Sequence, residues 1–172
     1  MNIRRAQQED LPDLMQIYDY ARNFMRESGN TNQWINGYPS SELIAKDIEQ
    51  GQSFVCENEE GEIAGTFCFI QGTDPTYLKI YEGKWLNDEP YGVIHRIATN
   101  GSRKGIASAC INWCASQYNN LRVDTHRDNI VMQNILKKHG FTQCGIIYVA
   151  NGTERLAFHK VIDPSESEYK KQ

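Results

Sequence analysis

The chain has 172 residues, 40% of them apolar, which suits one domain with one core and excludes a disordered chain. Eighteen basic residues against twenty-two acidic ones leave a net charge of −4, which argues against a nucleic-acid partner. No apolar run approaches the roughly 20 residues that span a bilayer, and the opening MNIRRAQQEDLPDLM lacks the apolar block of a signal peptide. A cytoplasmic protein without a membrane partner is therefore the expectation.

In chain order, residues 3–5 suit a short first strand. Asp10 can cap a helix with Pro12 in its first turn, where a missing N–H costs little. Leu11, Leu14, Met15, Tyr18, Ala21 and Met25 then keep helical spacing. Residues 30–41 read as a loop carrying Trp34 and Tyr38, and a second helix follows over residues 41–50, stopped by Gly51. Residues 53–57 and 63–71 are strands of a hairpin around Glu59-Glu60-Gly61-Glu62. Residues 72–90 are irregular yet hold Tyr77, Tyr81 and Trp85; a long aromatic loop either has a functional role or covers a sheet edge.

Residues 91–98 form a strand and residues 99–104 turn into a helix with one apolar stripe, Ile106, Ala107, Cys110, Ile111 and Cys114. Residues 121–125 are another strand. Asp128 or Asn129 caps a last helix with inner face Met132, Ile135, Leu136 and His139, ended by Gly140. Residues 144–149 and 154–161 flank Asn151-Gly152, a strong hairpin signal. The order predicts an α/β fold with a mixed, mostly antiparallel central sheet and helices on both faces. The strand–helix–strand unit over 91–125 is its parallel, right-handed part. A single domain over 1–162 and a polar tail over 163–172 complete the expectation. Cys56, Cys68, Cys110, Cys114 and Cys144 are odd in number and lack ligand spacing, so reduced, buried thiols and no metal are expected.

The chemistry lies in IHRIATNGSRKGIASACINWC, where a strand ends, a loop passes Gly101 and Gly105, and a helix begins. Helix starts leave N–H groups unpaired and carry partial positive charge. Gly105 allows close approach of a phosphate, and Arg103 and Lys104 add two cations, so the segment can cradle a pyrophosphate. It is neither a P-loop nor a GxGxxG fingerprint.

This segment resembles the central motif of GCN5-related N-acetyltransferases (the GNAT family), Q/R-x-x-G-x-G/A. Gly105, Ile106 and Ala107 match G-x-A, while Ser102 stands at the Q/R position. LRVDTHRDN and IVMQNILKKHGF continue the likeness, which spans essentially the whole chain. The resemblance implies an N-acetyltransferase with acetyl-CoA (CoA) as co-substrate, and no metal. It implies a splayed strand whose backbone at Ile97, Ala98 and Thr99 holds the pantetheine arm. Amides from Arg103 through Lys104, Gly105, Ile106 and Ala107 to Ser108 would hold the pyrophosphate. Asn129 would contact the arm or serve as an ordinary helix cap. Many members carry a tyrosine acid four residues before the glycine of G-F; here that residue is Leu136, with Tyr148 as a substitute.

The acceptor amine must lose a proton, and histidine is the side chain suited to that near neutral pH. Strict alternation along the strand puts Val93, His95 and Ile97 on one side, and the resemblance implies a thioester beside Ile97, which makes His95 the candidate base and His126 the second. His139 reads as a helix-end residue, and His159 has no motif near it. Trp34, Tyr38, Tyr81 and Trp85 suit the binding of a small-molecule amine acceptor. The resemblance also implies a homodimer paired through sheet edges. Against the acetyltransferase of small amines stand a non-catalytic acyl-CoA-binding module, an enzyme acting on protein or peptide amines, and a Cys/His hydrolase using Cys144 with His95.

Overall fold

The computed structural model describes residues 1–165. Among them seven strands form one sheet: β1 (Asn2–Arg5), β2 (Ser53–Glu57), β3 (Ile63–Gln71), β4 (Gly92–Thr99), β5 (Asn120–Thr125), β6 (Thr142–Tyr148) and β7 (Glu154–Val161). Four helices accompany them: α1 (Leu11–Glu27), α2 (Ser41–Glu49), α3 (Ile106–Gln117) and α4 (Ile130–Lys138). The strand order is β1-β2-β3-β4-β5-β7-β6, antiparallel throughout except for the β4–β5 pair. The expected mixed, mostly antiparallel sheet is therefore present. Of the expected polar tail, residues 166–172 lie outside the described residues. No helix among the described residues is long and apolar enough to cross a membrane.

Alternation along the strands sorts the core into two faces. On β2, Phe54 and Cys56 join the cluster packed by α3 and α4, where Ile106, Ile111 and Leu136 are buried. Val55, between them, joins the opposite cluster with Leu14, Ile17 and Tyr18 of α1 and Ile44 of α2. Helices thus cover both faces. On the α1/α2 side the covering helices reach only part of the sheet. The rest of that face, Val93, Ile147 and Ala157, is covered by Tyr77 and Tyr91. Residues 72–90 are consequently a cover, tied down by mutual backbone hydrogen bonds of 2.8 Å between Tyr81 and Ile146. The approach is so close at Gly83 that a Cβ there would sit 1.8 Å from the Cys144 carbonyl oxygen.

Local chemistry departs from expectation at the start of α1. Asp10 occupies the N-cap position, but its carboxylate caps no α1 amide. It accepts instead from the Arg4 guanidinium at 2.8 and 3.1 Å and from the Gln7 amide at 2.7 Å. Asn129 does cap α4, accepting from Met132 N at 3.0 Å. His159 is fully buried on β7; its Nδ1 accepts from Leu86 N at 3.1 Å and its Nε2 lies 2.6 Å from Asn120 Oδ1. Burial, with Arg122 nearby, pushes it down to about 4, so it is a neutral structural histidine.

Candidate active site

Strands β4 and β5 pair at only two positions, Gly92 with Leu121 and Val93 with Arg122. Beyond them β4 runs on to Thr99 and β5 to Thr125 without mutual hydrogen bonds. The sheet therefore splits, and a cavity of about 640 Å³ opens through it. Ile97, Val123, Met132 and Asn129 line it toward the α4 side, and Asp74, His95, Asp124 and Arg155 toward the other. Its volume falls in the range of small-molecule sites.

A bulge on β4 sets which side chains enter the cavity. Cys68 of β3 faces His95 and Thr66 faces Ala98, so β4 carries one extra residue there. Arg96 takes φ of 51°, an uncommon conformation for a residue with a Cβ. Three contacts hold it. Tyr18 Oη donates to its carbonyl at 2.9 Å, Asp47 accepts from its Nε and Nη2 at 3.0 and 2.7 Å, and Tyr38 Oη accepts from Nη1 at 3.1 Å. The strict alternation expected for Val93, His95 and Ile97 fails here. Val93 and His95 keep the same side, while Ile97 packs into the α3/α4 cluster.

His95 meets a carboxylate. Its Nε2 lies 2.8 Å from Asp74 Oδ2, with both side chains mostly buried. Burial raises the Asp74 pKa, but hydrogen bonds from His95 and Thr76 outweigh it and bring the carboxyl to about 2. An ionised carboxylate only accepts, so Nε2 donates to it, and Nδ1 is the ring nitrogen left with no protein partner. Asp74 is itself fixed: Thr76 N and Thr76 Oγ1 donate to its Oδ1 at 2.8 and 2.7 Å, and its own amide donates to Tyr91 Oη at 3.0 Å. Nearby, Tyr77 Oη donates to Asp124 Oδ2 at 2.6 Å.

The other end of the site is the start of α3. Gly105 is its N-cap, with φ of 85° and no side-chain cap, so the first amides of the helix are unpaired by side chains. A Cβ at Gly105 would meet nothing within 4 Å, which marks open space against the helix start. Lys104 is exposed beside it. The Arg103 guanidinium turns to the β2–β3 turn, donating to Glu60 at 2.8 and 3.0 Å. Ser108 Oγ pairs with His139 Nε2 at 2.8 Å.

The family model described as Acetyltransferase (GNAT) family matches residues 14–141. This chain belongs to the GNAT family. It is similar to a GNAT acetyltransferase of Streptococcus agalactiae, with 32% identity, 94% of this chain and 95% of that chain covered, and a TM-score of 0.87. A GNAT acetyltransferase of Listeria monocytogenes follows at 20% identity, 94% of each chain and a TM-score of 0.68. A ribosomal-protein-alanine N-acetyltransferase of Brucella melitensis shares the fold at 18% identity, 94% and 100% coverage and a TM-score of 0.64. No curated protein sequence matches the chain.

GNAT enzymes are N-acetyltransferases that take acetyl-CoA as co-substrate and act on amines, so this chain is an acyltransferase. The residues present fit that co-substrate. The uncapped start of α3 with the vacant space at Gly105 suits a pyrophosphate, and the split between β4 and β5 leaves backbone groups unpaired for an amide-bearing arm.

Among the acceptor-side aromatics expected from sequence, Trp34 and Tyr38 line the cavity, with Trp34 packed edge-on to Tyr18 at 5.6 Å. Tyr81 and Trp85 do not. Tyr81 stacks edge-on against Tyr148 at 5.3 Å on the outer cover. Trp85 lies over Arg122 at 4.1 Å and donates to the Tyr77 carbonyl. Tyr148 and the buried Leu136 likewise stay out of the cavity wall. His126 is not in the wall either; its Nδ1 accepts from Asp128 N at 3.0 Å. Cys144 Sγ lies 3.4 Å from the Thr142 carbonyl oxygen, its thiol pushed up by burial, while His95 pairs with Asp74, so the Cys144–His95 pair considered for a hydrolase is not formed among the described residues. Asn129, besides capping α4, donates to Gln33 Oε1 at 3.0 Å. Sequence reasoning missed Asp74, Thr76, Asp124 and Arg155. The Asp-Pro-Thr turn is a recognisable Asx-type signal, and Asp124 and Arg155 are charges inside strands covered on both faces.

Proposed function

We propose that this GNAT enzyme acetylates the amine of a small molecule, with His95 as general base and Asp74 as the group that positions it. The observation that carries this reading is the His95–Asp74 pair in the wall of a cavity passing through the split sheet. Acetyl-CoA, when bound, supplies an acetyl group on an activated thioester. The protein's part is to deprotonate and hold the amine. An alkylamine in water is mostly ammonium, with a pKa of about 10. His95 Nδ1 accepts the proton, and the Asp74 carboxylate stabilises the imidazolium that results. Trp34 and Tyr38, in mutual ring contact, line the cavity, and their apolar faces suit a small amine.

A panel of small primary amines and of short peptides, each supplied with acetyl-CoA while free thiol is followed, tests this. Thiol release that depends on small amines and outpaces the peptides is the expected result. Release with peptides alone would replace the small-molecule reading, and release with neither would reduce the protein to a cofactor-binding module.

A further inference from the structure

Three arginines lie in or beside the cavity, and among the described residues only Arg155 both lines it and keeps guanidinium nitrogens without a protein partner. Each guanidinium nitrogen of Arg96 already donates, Nε and Nη2 to Asp47 and Nη1 to Tyr38 Oη. Arg122 is sandwiched between Trp85 and Tyr91, with ring centroids 4.1 and 4.0 Å from its Cζ, and donates to the Asn87 carbonyl. Arg155, on β7, lines the cavity and is only 8% exposed. Its Nη1 donates to Thr153 Oγ1 at 3.0 Å and to the Glu154 carbonyl at 2.9 Å. Its Nε and Nη2 have no protein partner, yet neither is sealed from solvent. Among the described residues no carboxylate stands within ion-pair distance of it. Asp124, which lines the same cavity, offsets part of the cost of burying this cation, but no hydrogen bond joins the two. Burial accordingly lowers the pKa of Arg155 from its usual range.

The register places this charge on the acceptor's side of the sheet. Arg155 pairs with Ile147 and lies two residues from Ala157, which faces Asp124 across β5. Ile147, Ala157 and Val93 share the face on which His95 meets Asp74, opposite the face packed by α3. Arg155 is therefore across the sheet from the helix start that suits the pyrophosphate.

We infer that Arg155 binds an anionic group on the acceptor, so that the preferred substrates are amines that also carry an acid, as amino acids do. The inference rests on the acetyltransfer reading of this cavity. A guanidinium presents a planar fork that matches a carboxylate or another oxyanion through two N–H donors, and the two free donors of Arg155 are of that kind.

The test compares matched acceptors: a set of amino acids, their carboxamides and the corresponding aminoalkylphosphonates, by kcat/KM with acetyl-CoA. The acid is expected to exceed its carboxamide by about 10- to 100-fold, the worth of charged hydrogen bonds. The phosphonate tells a planar from a tetrahedral anion, and a preference for either over the carboxamide supports the inference. Arg155→Gln should collapse that ratio while acetyl-CoA affinity, read by calorimetry, stays within about twofold, because the residue lies apart from the α3 start. Arg155→Lys keeps the charge without the fork and should retain part of the ratio. Equal rates on acid and carboxamide in the wild type would overturn the inference and leave acetyl transfer standing. So would a ratio that survives in Arg155→Gln, or a tenfold loss of acetyl-CoA affinity there. The wild-type comparison decides the matter even if both variants fold poorly. Thiol release with no amine at all would remove the acetyltransfer reading together with this one.

Discussion

His95→Gln is expected to lower kcat by about 10²- to 10⁴-fold, the usual worth of general base catalysis, with acetyl-CoA affinity nearly unchanged. The expectation rests on geometry before chemistry. Alternation along β4 puts His95 on the face where Asp74 stands, and the hydrogen bond at 2.8 Å leaves Nδ1 as the one nitrogen able to take a proton. Glutamine offers no comparable base at neutral pH. The acidic limb that a histidine base gives the kcat profile should also vanish in the variant. A parallel His126→Gln should leave kcat near wild type, since His126 lies outside the cavity wall and its Nδ1 is occupied by Asp128 N. The pH–rate comparison of the three proteins with one acceptor checks this. A His95→Gln enzyme with wild-type kcat and an intact acidic limb would remove the base from the mechanism. Catalysis would then come from holding two reactants together.

Gly105→Glu is expected to weaken acetyl-CoA binding by about 100- to 1,000-fold. The side chain would leave the backbone toward open space at the start of α3, where nothing of the protein stands within 4 Å. A carboxylate there faces the pyrophosphate charge at short range. Two like charges about 4 Å apart repel by about 4 kcal/mol at an effective dielectric of 20. The φ of 85° adds strain for any residue with a Cβ, about 1–2 kcal/mol. Gly105→Ala carries the strain without the charge and separates the two effects: it should lose stability but bind far better than Gly105→Glu. Calorimetric titration, with far-UV circular dichroism as the check on folding, measures both. Equal affinities for Gly105→Glu and wild type would move the phosphate site elsewhere.

The strands were legible where alternation and turn residues agree. The spans 53–57, 63–71 and 154–161 follow from them and match β2, β3 and β7. The helix start at Gly105 was legible for a similar reason, since glycine before an apolar stripe signals its own conformation. The bulge was not. Arg96 carries neither glycine nor asparagine to mark a positive φ, and what holds it comes from Tyr18 and Asp47, far away in sequence. That is why Ile97 faces the other way from His95. Asp74 was invisible as a partner of His95 because 21 residues and a sheet cover separate them in the chain. Aromatic content picked out the right loops but could not tell lining from cover: Trp34 lines the cavity, while Trp85 lies over Arg122. Arg155 was overlooked because a strand arginine ordinarily points to solvent, and only the pairing of β7 between β5 and β6 buries it.

The central claim is that the split sheet and the start of α3 together form an acetyl-CoA site. Titration of acetyl-CoA into the wild-type protein, followed by heat and by melting temperature, tests it most directly. A ligand held at 100 times its Kd should add about 2.7 kcal/mol to stability. The predicted result is a saturable heat and a clear rise in Tm, larger than the shift given by NAD or ATP at the same concentration. No heat and no shift at millimolar acetyl-CoA would contradict the account.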